Sequence, residues 1–518
     1  MDKAQVQYDY VVVGGGAAGS IVAARAAASG ASVLLLELGS PVAPDDARVW
    51  DPQRWYEVLG DPSFEIGYHS VPQLNLSSRI IPLLQSKGLG GCQIHNAMVY
   101  VRGGRSTYDY WADTLGCNGW GWSELQPFFQ SMESTVGISS PPEDSFSAAF
   151  RGAAERLGFP WNPNYNEGAE FGCVPFQFTV DSAGPRRTTA FDSYVGAGLA
   201  NLTILPRCRV NRLDLTQDPP GVEYLGPDGE VTTVYPAREV VLSAGAIGTP
   251  AILLRSGVGP ADELAAIGID VVADLPVGRN FYDDLGVGLP VVMPQVGIGE
   301  SYGYIGVGVF ATSSGSTPGP NPAYAEVDIE MQLSTTGLPG APNPLAPGAA
   351  CVLGTSSLHL KSRGTVALAS ANPADLPVVD PGWLTAPEDL DHVIASLRLC
   401  YEFARDADLA QAGGWSPFPE ILPISGHLSQ NLRFLATQWI LATGLTVQHY
   451  VGSCAMGTDP STSVVSPADL RVHGVAGLRV IDASVAPTPV TGNTAGVSMV
   501  IGEKGAALLL GTGLQAVP

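Results

Sequence analysis

The stretch Tyr10–Glu37, YVVVGGGAAGSIVAARAAASGASVLLLE, leaves the chain few folds to choose from. Tyr10–Val13 is a short β-rich apolar run that reads as a strand buried on both faces. Gly14, Gly16 and Gly19 follow in G-x-G-x-x-G spacing. Ala17–Ser29 then reads as an Ala-rich helix closed by Gly30, and Val33–Leu36 as a second buried strand. Gly14 permits a tight turn, Gly16 lets a pyrophosphate approach the backbone, and Gly19 lets the helix lie close on the strand. The helix N-terminus offers unbonded N–H groups and partial positive charge to phosphates. Glu37 ends the second strand, where a carboxylate accepts hydrogen bonds from ribose hydroxyls and repels a 2′-phosphate. Strand, turn, helix, strand and acid in this order predict a dinucleotide site.

Composition bounds the rest. A chain of 518 residues is two to three times a typical domain, so at least two packed units are expected. Only 14% of residues are charged, and the net charge is −23, which disfavours nucleic acid and anionic membranes as partners. No apolar run approaches the roughly 20 residues of a membrane span, and the N-terminal apolar run breaks at Gly14, so no signal peptide is read. Seven cysteines without a C-x-x-C pair predict reduced thiols in a cytoplasmic enzyme, and the scattered histidines predict no metal site.

Residues 40–85 show no clear period and read as irregular connection. Lys87–Gly103, KGLGGCQIHNAMVYVRG, has a Gly-rich turn followed at once by His95 and Asn96, with Met98–Val101 extended. Gly119–Phe129 reads as core aromatics, with Ser123 or the preceding turn as cap and Pro127 limiting any helix. Leu202–Leu205, Val210–Leu213 and Val240–Ser243 read as strands. From 286 to 435, segments rich in Gly, Ser and Pro (Ser313–Ser316, Pro318–Pro322, Gly337–Pro347) alternate with strand-like runs such as Tyr324–Gln332 and Thr365–Ala369. Asp389–Ala404 has the period of an amphipathic helix.

These motifs resemble the glucose–methanol–choline (GMC) oxidoreductases. The likeness rests on the N-terminal fingerprint, Gly88–Asn96, Gly245–Gly259 (GAIGTPAILLRSGVG) and the run from His449 to Asn493, in family order across almost the whole chain. The resemblance implies an α/β fold: a Rossmann-like FAD-binding domain with an inserted α+β substrate domain built on an antiparallel sheet. On that basis 1–155, 201–285 and 436–518 are read as parts of the FAD-binding domain, 156–200 as a substrate-domain or boundary segment and 286–435 as the substrate domain. FAD contacts are expected from Gly14, Gly16, Ala17, Ala18, Gly19, Glu37 and Leu38; from Gly90, Gly91, Cys92, His95, Asn96, Ala97 and Met98; and from Val210, Ala244, Gly245, Asp482, Ala483, Asn493 and Thr494. The form L-G-G-C-x-x-H-N resembles choline oxidase-like members, in which the histidine at the place of His95 is bonded to the flavin C8α methyl. Gln93 and Ile94 depart from their pattern. Arg186–Tyr194 matches a family segment near the dimer or substrate edge.

Oxidising an alcohol with a flavin requires a base for the hydroxyl proton while hydride leaves the adjacent carbon. A neutral imidazole suits that task. By resemblance His449 is that base, and Asn493 is the partner that steadies the developing alkoxide. Tyr450 stands where the family has proline. The expected activity is that of an oxidase turning a primary alcohol into an aldehyde, with O2 as acceptor and H2O2 as product. A dehydrogenase using a quinone or other acceptor is one alternative, and a hydroxynitrile lyase-like enzyme is another. The lyases use a histidine near the position of Asn493. A monomer or homodimer acting on a small alcohol is expected. Choline matches poorly, because Tyr302–Phe310 offers Gly and Ile where its carboxylate partner would lie. Glu326, Asp328 and Glu330 alternate as one solvated strand face.

Overall fold

Uninterrupted valine and leucine runs build the centre of the molecule. In the computed structural model, which describes residues 7–181, 183–196, 198–292, 306–314, 327–334, 350–417 and 430–513, these runs form a five-stranded parallel sheet. Its order is Leu202–Leu205, Val33–Leu36, Tyr10–Val13, Glu239–Leu242, Leu478–Val480. The three inner strands are buried almost throughout, as expected of a sheet covered on both faces. Helix Ala17–Ala28 runs back across the sheet and packs on the C-terminal helix Thr494–Leu510. Two glycines set this geometry. Gly14 turns the chain at φ +103°, and a Cβ on Gly19 would sit 2.0 Å from the Gly14 carbonyl oxygen. Only a bare backbone lets the helix start so close to the strand.

The second layer is antiparallel. Its six strands run in the order Leu445–Thr446, Leu285–Val292, Ala350–Ser357, Ile329–Ser334, Val307–Ala311, Gly172–Pro175. Helix Asp389–Arg405 covers one face. The fold is thus an α/β nucleotide-binding fold joined to an α+β unit on an antiparallel sheet.

Several local expectations change. Pro127 lies inside helix Trp122–Val136 and does not end it. At the sixth helical position the proline forgoes the bond to the Ser123 carbonyl, and the buried face of Leu125, Phe129 and Met132 holds the helix together across that gap. The reading of Glu330 as solvated is overturned. Ile329, Met331 and Leu333 pack into a core with Phe150 and Phe403, so alternation turns Glu330 to the opposite face, where it is completely buried. That face lies against the nucleotide-binding fold, not solvent. Arg187 is buried within the chain; it donates to the carbonyls of Val49, Gln93 and Asn96 and to Asn96 Oδ1. The loops at Pro318–Pro322 and Gly337–Pro347, Glu326, and residues 302–305 and 315–316 lie outside the described residues.

Candidate active site

A cavity of about 1340 Å³ runs from the N-terminal fingerprint turn to the face of the antiparallel sheet. Gly14, Gly16, Ala17 and Ala18 line it with Glu37 and Leu38; Gly91, Cys92, His95, Asn96, Ala97 and Met98 form another wall. Val210, Ala244, Gly245, Asp482, Ala483, Asn493, Thr494 and His449 complete the expected set. Gly19 and Gly90 are not on the surface of the cavity. Gly19 packs under Gly14, and the Gly90 N–H donates to the Gly15 carbonyl.

The residues fit a flavin dinucleotide. At the fingerprint end, Gly16 and Gly91 face each other with no side chains between them; a Cβ on Gly91 would lie 2.7 Å from Gly16 Cα. The first turn of helix Ala17–Ala28 opens into this space, where unbonded amides suit a pyrophosphate. Glu37 is 6% exposed and accepts from the N–H groups of Gly15, Gly39 and Gly88 at 2.8, 2.8 and 2.7 Å. Burial holds its pKa above the ordinary range, and those amide bonds oppose the rise. Asp482 links the end of strand Leu478–Val480 to helix Gly245–Arg255, which follows the neighbouring strand, by accepting from the Gly245 N–H and the Thr249 hydroxyl.

His95 stands in the wall formed by the Gly-rich loop, with its ring buried. Its Nδ1 lies 2.7 Å from Glu65 Oε1, and Glu65 is itself buried. Burial opposes a charge on this imidazole, but Cys92 and Glu65 outweigh it and lift the pKa to about 9. The departure at Gln93 is absorbed by the fold: its side chain accepts from the Ala190 N–H and reaches Met499 Sδ.

At the opposite end, Tyr282–Asp284 runs beside Thr446–Val451, joined by the Tyr282–Val451 bridge. Asp283 accepts the His449 backbone N–H at 2.9 Å, and Asp284 Oδ2 lies 2.8 Å from His449 Nδ1. Asn493 occupies the N-cap of helix Thr494–Leu510 but makes no side-chain cap. Instead its Nδ2 lies 3.2 Å from His449 Nε2. Burial disfavours the imidazolium, but the Asp284 carboxylate prevails and raises the His449 pKa. Burial pushes the carboxyls of Asp283 and Glu330 up to about 7.

The structure therefore brings His449 and Asn493 together, as the sequence reading expected. Three neighbours of the two histidines went unseen, Glu65, Asp283 and Asp284, and Glu330 was misread as solvated. The adjacent acids in FYDDLGVG, enclosed by apolar residues, were a usable signal. Glu65 carried none, because it lies in a segment without period.

Models of the GMC oxidoreductase family match residues 8–285 and 361–502. Choline oxidase of Arthrobacter globiformis is 32% identical over 536 residues, 97% of this chain and 94% of that protein. Pyridoxine 4-oxidase of Microbacterium luteolum is 31% identical over 516 residues, 94% of this chain and 96% of that protein. Among solved structures, pyridoxine 4-oxidase from Mesorbium loti superposes with a TM-score of 0.84 at 28% identity, covering 98% of this chain and all of that one.

Proposed function

The chain belongs to the GMC oxidoreductase family, as an FAD-dependent oxidoreductase acting on CH–OH groups, and from that premise we propose that it oxidises a primary alcohol to an aldehyde with O2 as acceptor. The observation that carries the reading is the line Asp284–His449–Asn493 at the inner end of the cavity. Donation of Nδ1–H to Asp284 fixes the tautomer that leaves a lone pair on His449 Nε2. That nitrogen takes the hydroxyl proton of the substrate, and the Asn493 amide holds the same oxygen as negative charge grows on it. FAD, when bound, supplies the hydride acceptor. Gly14, Gly16, Ala17 and Ala18 would cradle its pyrophosphate, Glu37 its ribose, and His95 would stand beside the ring system as the point of covalent attachment. An asparagine in place of a second histidine favours oxidation over cyanohydrin cleavage. Oxidase chemistry in two relatives, choline oxidase and pyridoxine 4-oxidase, supports O2 over a quinone.

A screen of primary alcohols, benzylic alcohols and sugars, followed by H2O2 formation, tests the reading. Peroxide formed in step with substrate loss is the expected result. Reduction of the flavin without peroxide, relieved by an added quinone, would make the enzyme a dehydrogenase. Cleavage of cyanohydrins with no flavin reduction by any alcohol would make it a lyase.

A further inference from the structure

Glu330 is completely buried, and neither of its carboxylate oxygens has a hydrogen-bond partner. Desolvating an unpaired carboxylate is among the most costly arrangements in a protein interior. Its surroundings show where a partner would come from. Across the sheet it lies in register with Phe310 on one side and Ser356 on the other. Ser356 and Gln332, two residues further along the same strand, both line the cavity. Gln332 Oε1 is likewise buried without a partner, and so is Asn493 Oδ1. Gly354, opposite Gln332, leaves the sheet face bare beside it. The charged and titratable groups that act on Glu330 are His449, Asp284 and, on the far side, Tyr165. Asp284 is already committed to His449, and the Tyr165 hydroxyl donates to the Tyr100 carbonyl.

With Glu330 ionised, the unpartnered groups share one chemistry: its Oε1 and Oε2, Gln332 Oε1 and Asn493 Oδ1 are then all acceptors. A wall of acceptors is satisfied only by a ligand that brings donors. A buried carboxylate among them favours a donor that also carries positive charge. Glu330 is not itself on the surface of the cavity; it stands next to Ser356 and Gln332, which are. We propose that Gln332 on the chamber surface and Glu330 set behind it form a specificity wall that reads a protonated N–H nitrogen on the alcohol whose hydroxyl meets His449. A quaternary nitrogen offers charge but no donor, and an alkanol offers neither at that end. The wall therefore ranks the three: amino alcohol first, trimethylated analogue second, alkanol last. This inference rests on the alcohol-oxidising reading of His449 and adds the class of substrate.

The test uses the FAD-loaded enzyme. ω-Amino alcohols of graded length, their N-trimethyl analogues and the corresponding n-alkanols are compared by anaerobic flavin bleaching, which separates affinity from the reduction rate. Binding of n-alkylammonium ions, which carry no hydroxyl, is measured by calorimetry. A hydrogen bond to a charged group corresponds to roughly 10–10²-fold in affinity. E330Q should therefore weaken the amino alcohol and the alkylammonium by that order and narrow their lead over the alkanol. Q332L should weaken both by less, with FAD content unchanged in each variant. Equal affinity of wild type for amino alcohols and alkanols, or a preference for the trimethyl analogue, would overturn the wall. So would an unchanged alkylammonium affinity in E330Q. If no alcohol of any class bleached the flavin, the oxidoreductase reading would fail, and the calorimetric arm would still decide the wall.

Discussion

Asp284 Oδ2 lies 2.8 Å from His449 Nδ1, and both side chains are almost wholly enclosed. The carboxylate fixes the imidazole tautomer and raises its pKa against the burial that would lower it. His449 acts as a base only when neutral, so the rate of flavin reduction should rise with pH through this pKa. Removing the carboxylate removes the raising influence. Asp284→Asn should move that limb of the profile to lower pH and lower its plateau, because the ring loses its orientation. A misplaced base costs about 10²-fold or more. An unshifted limb measured by stopped-flow reduction would show that Asp284 does not act on the ring.

His449→Ala removes the base outright and should slow anaerobic reduction by about 10²–10⁴-fold while FAD remains bound. Asn493→Ala removes one hydrogen bond to developing charge, and a loss of roughly 10–10²-fold is expected. Because Asn493 makes no cap in the native fold, the alanine variant should melt within a degree or two of wild type. A large fall in thermal stability would mean that the amide serves the helix rather than the chemistry.

Glu65 should matter to covalent attachment of the flavin at His95. A carboxylate on Nδ1 fixes the ring and leaves Nε2 as the nitrogen that would bond the flavin, once it gives up the proton that the raised pKa lets it hold. Acid precipitation of the wild type should leave the yellow colour in the pellet, and a tryptic peptide with His95 should carry the mass of FAD. His95→Ala should release all of the flavin, and Glu65→Gln should bind FAD but attach it more slowly. Colour wholly in the supernatant for the wild type would rule out attachment.

Glu330 has a consequence for stability. Its folded carboxyl holds a proton up to about 7, whereas an unfolded one releases it near about 4.3. Between those values the folded state binds more protons, so this group's contribution falls as pH rises. Glu330→Gln removes the slope. Without substrate, the variant should gain on wild type in melting temperature from pH 5 to pH 8. Parallel curves would mean that the carboxylate finds a compensating charge.

The nucleotide-binding half was legible because its signals are local: valine runs, glycine spacing and an acid at a strand end all act within one short stretch. Asn493 and His449 were legible through resemblance, and the fold supplies the reason they meet. The two carboxylates on His449 come from the segment leading into strand Leu285–Val292, more than 160 residues earlier, and only the antiparallel pairing brings them together. Glu330 misled for a different reason. Alternation reveals that a strand has two faces but not which one meets solvent, and here both are covered. Glu65 sits in a segment held by turns and single bridges, where no periodicity exists to read.

Glu37 places a limit on redesign. Its two oxygens join the amides of Gly15, Gly39 and Gly88, which lie on three separate stretches of chain. Retuning a nucleotide site toward a phosphorylated ribose ordinarily begins by neutralising this acid. In this protein that exchange would also cut the tie holding the three stretches together. Nucleotide preference and the integrity of the wall share one carboxylate, so a change of preference requires a replacement acceptor for those amides.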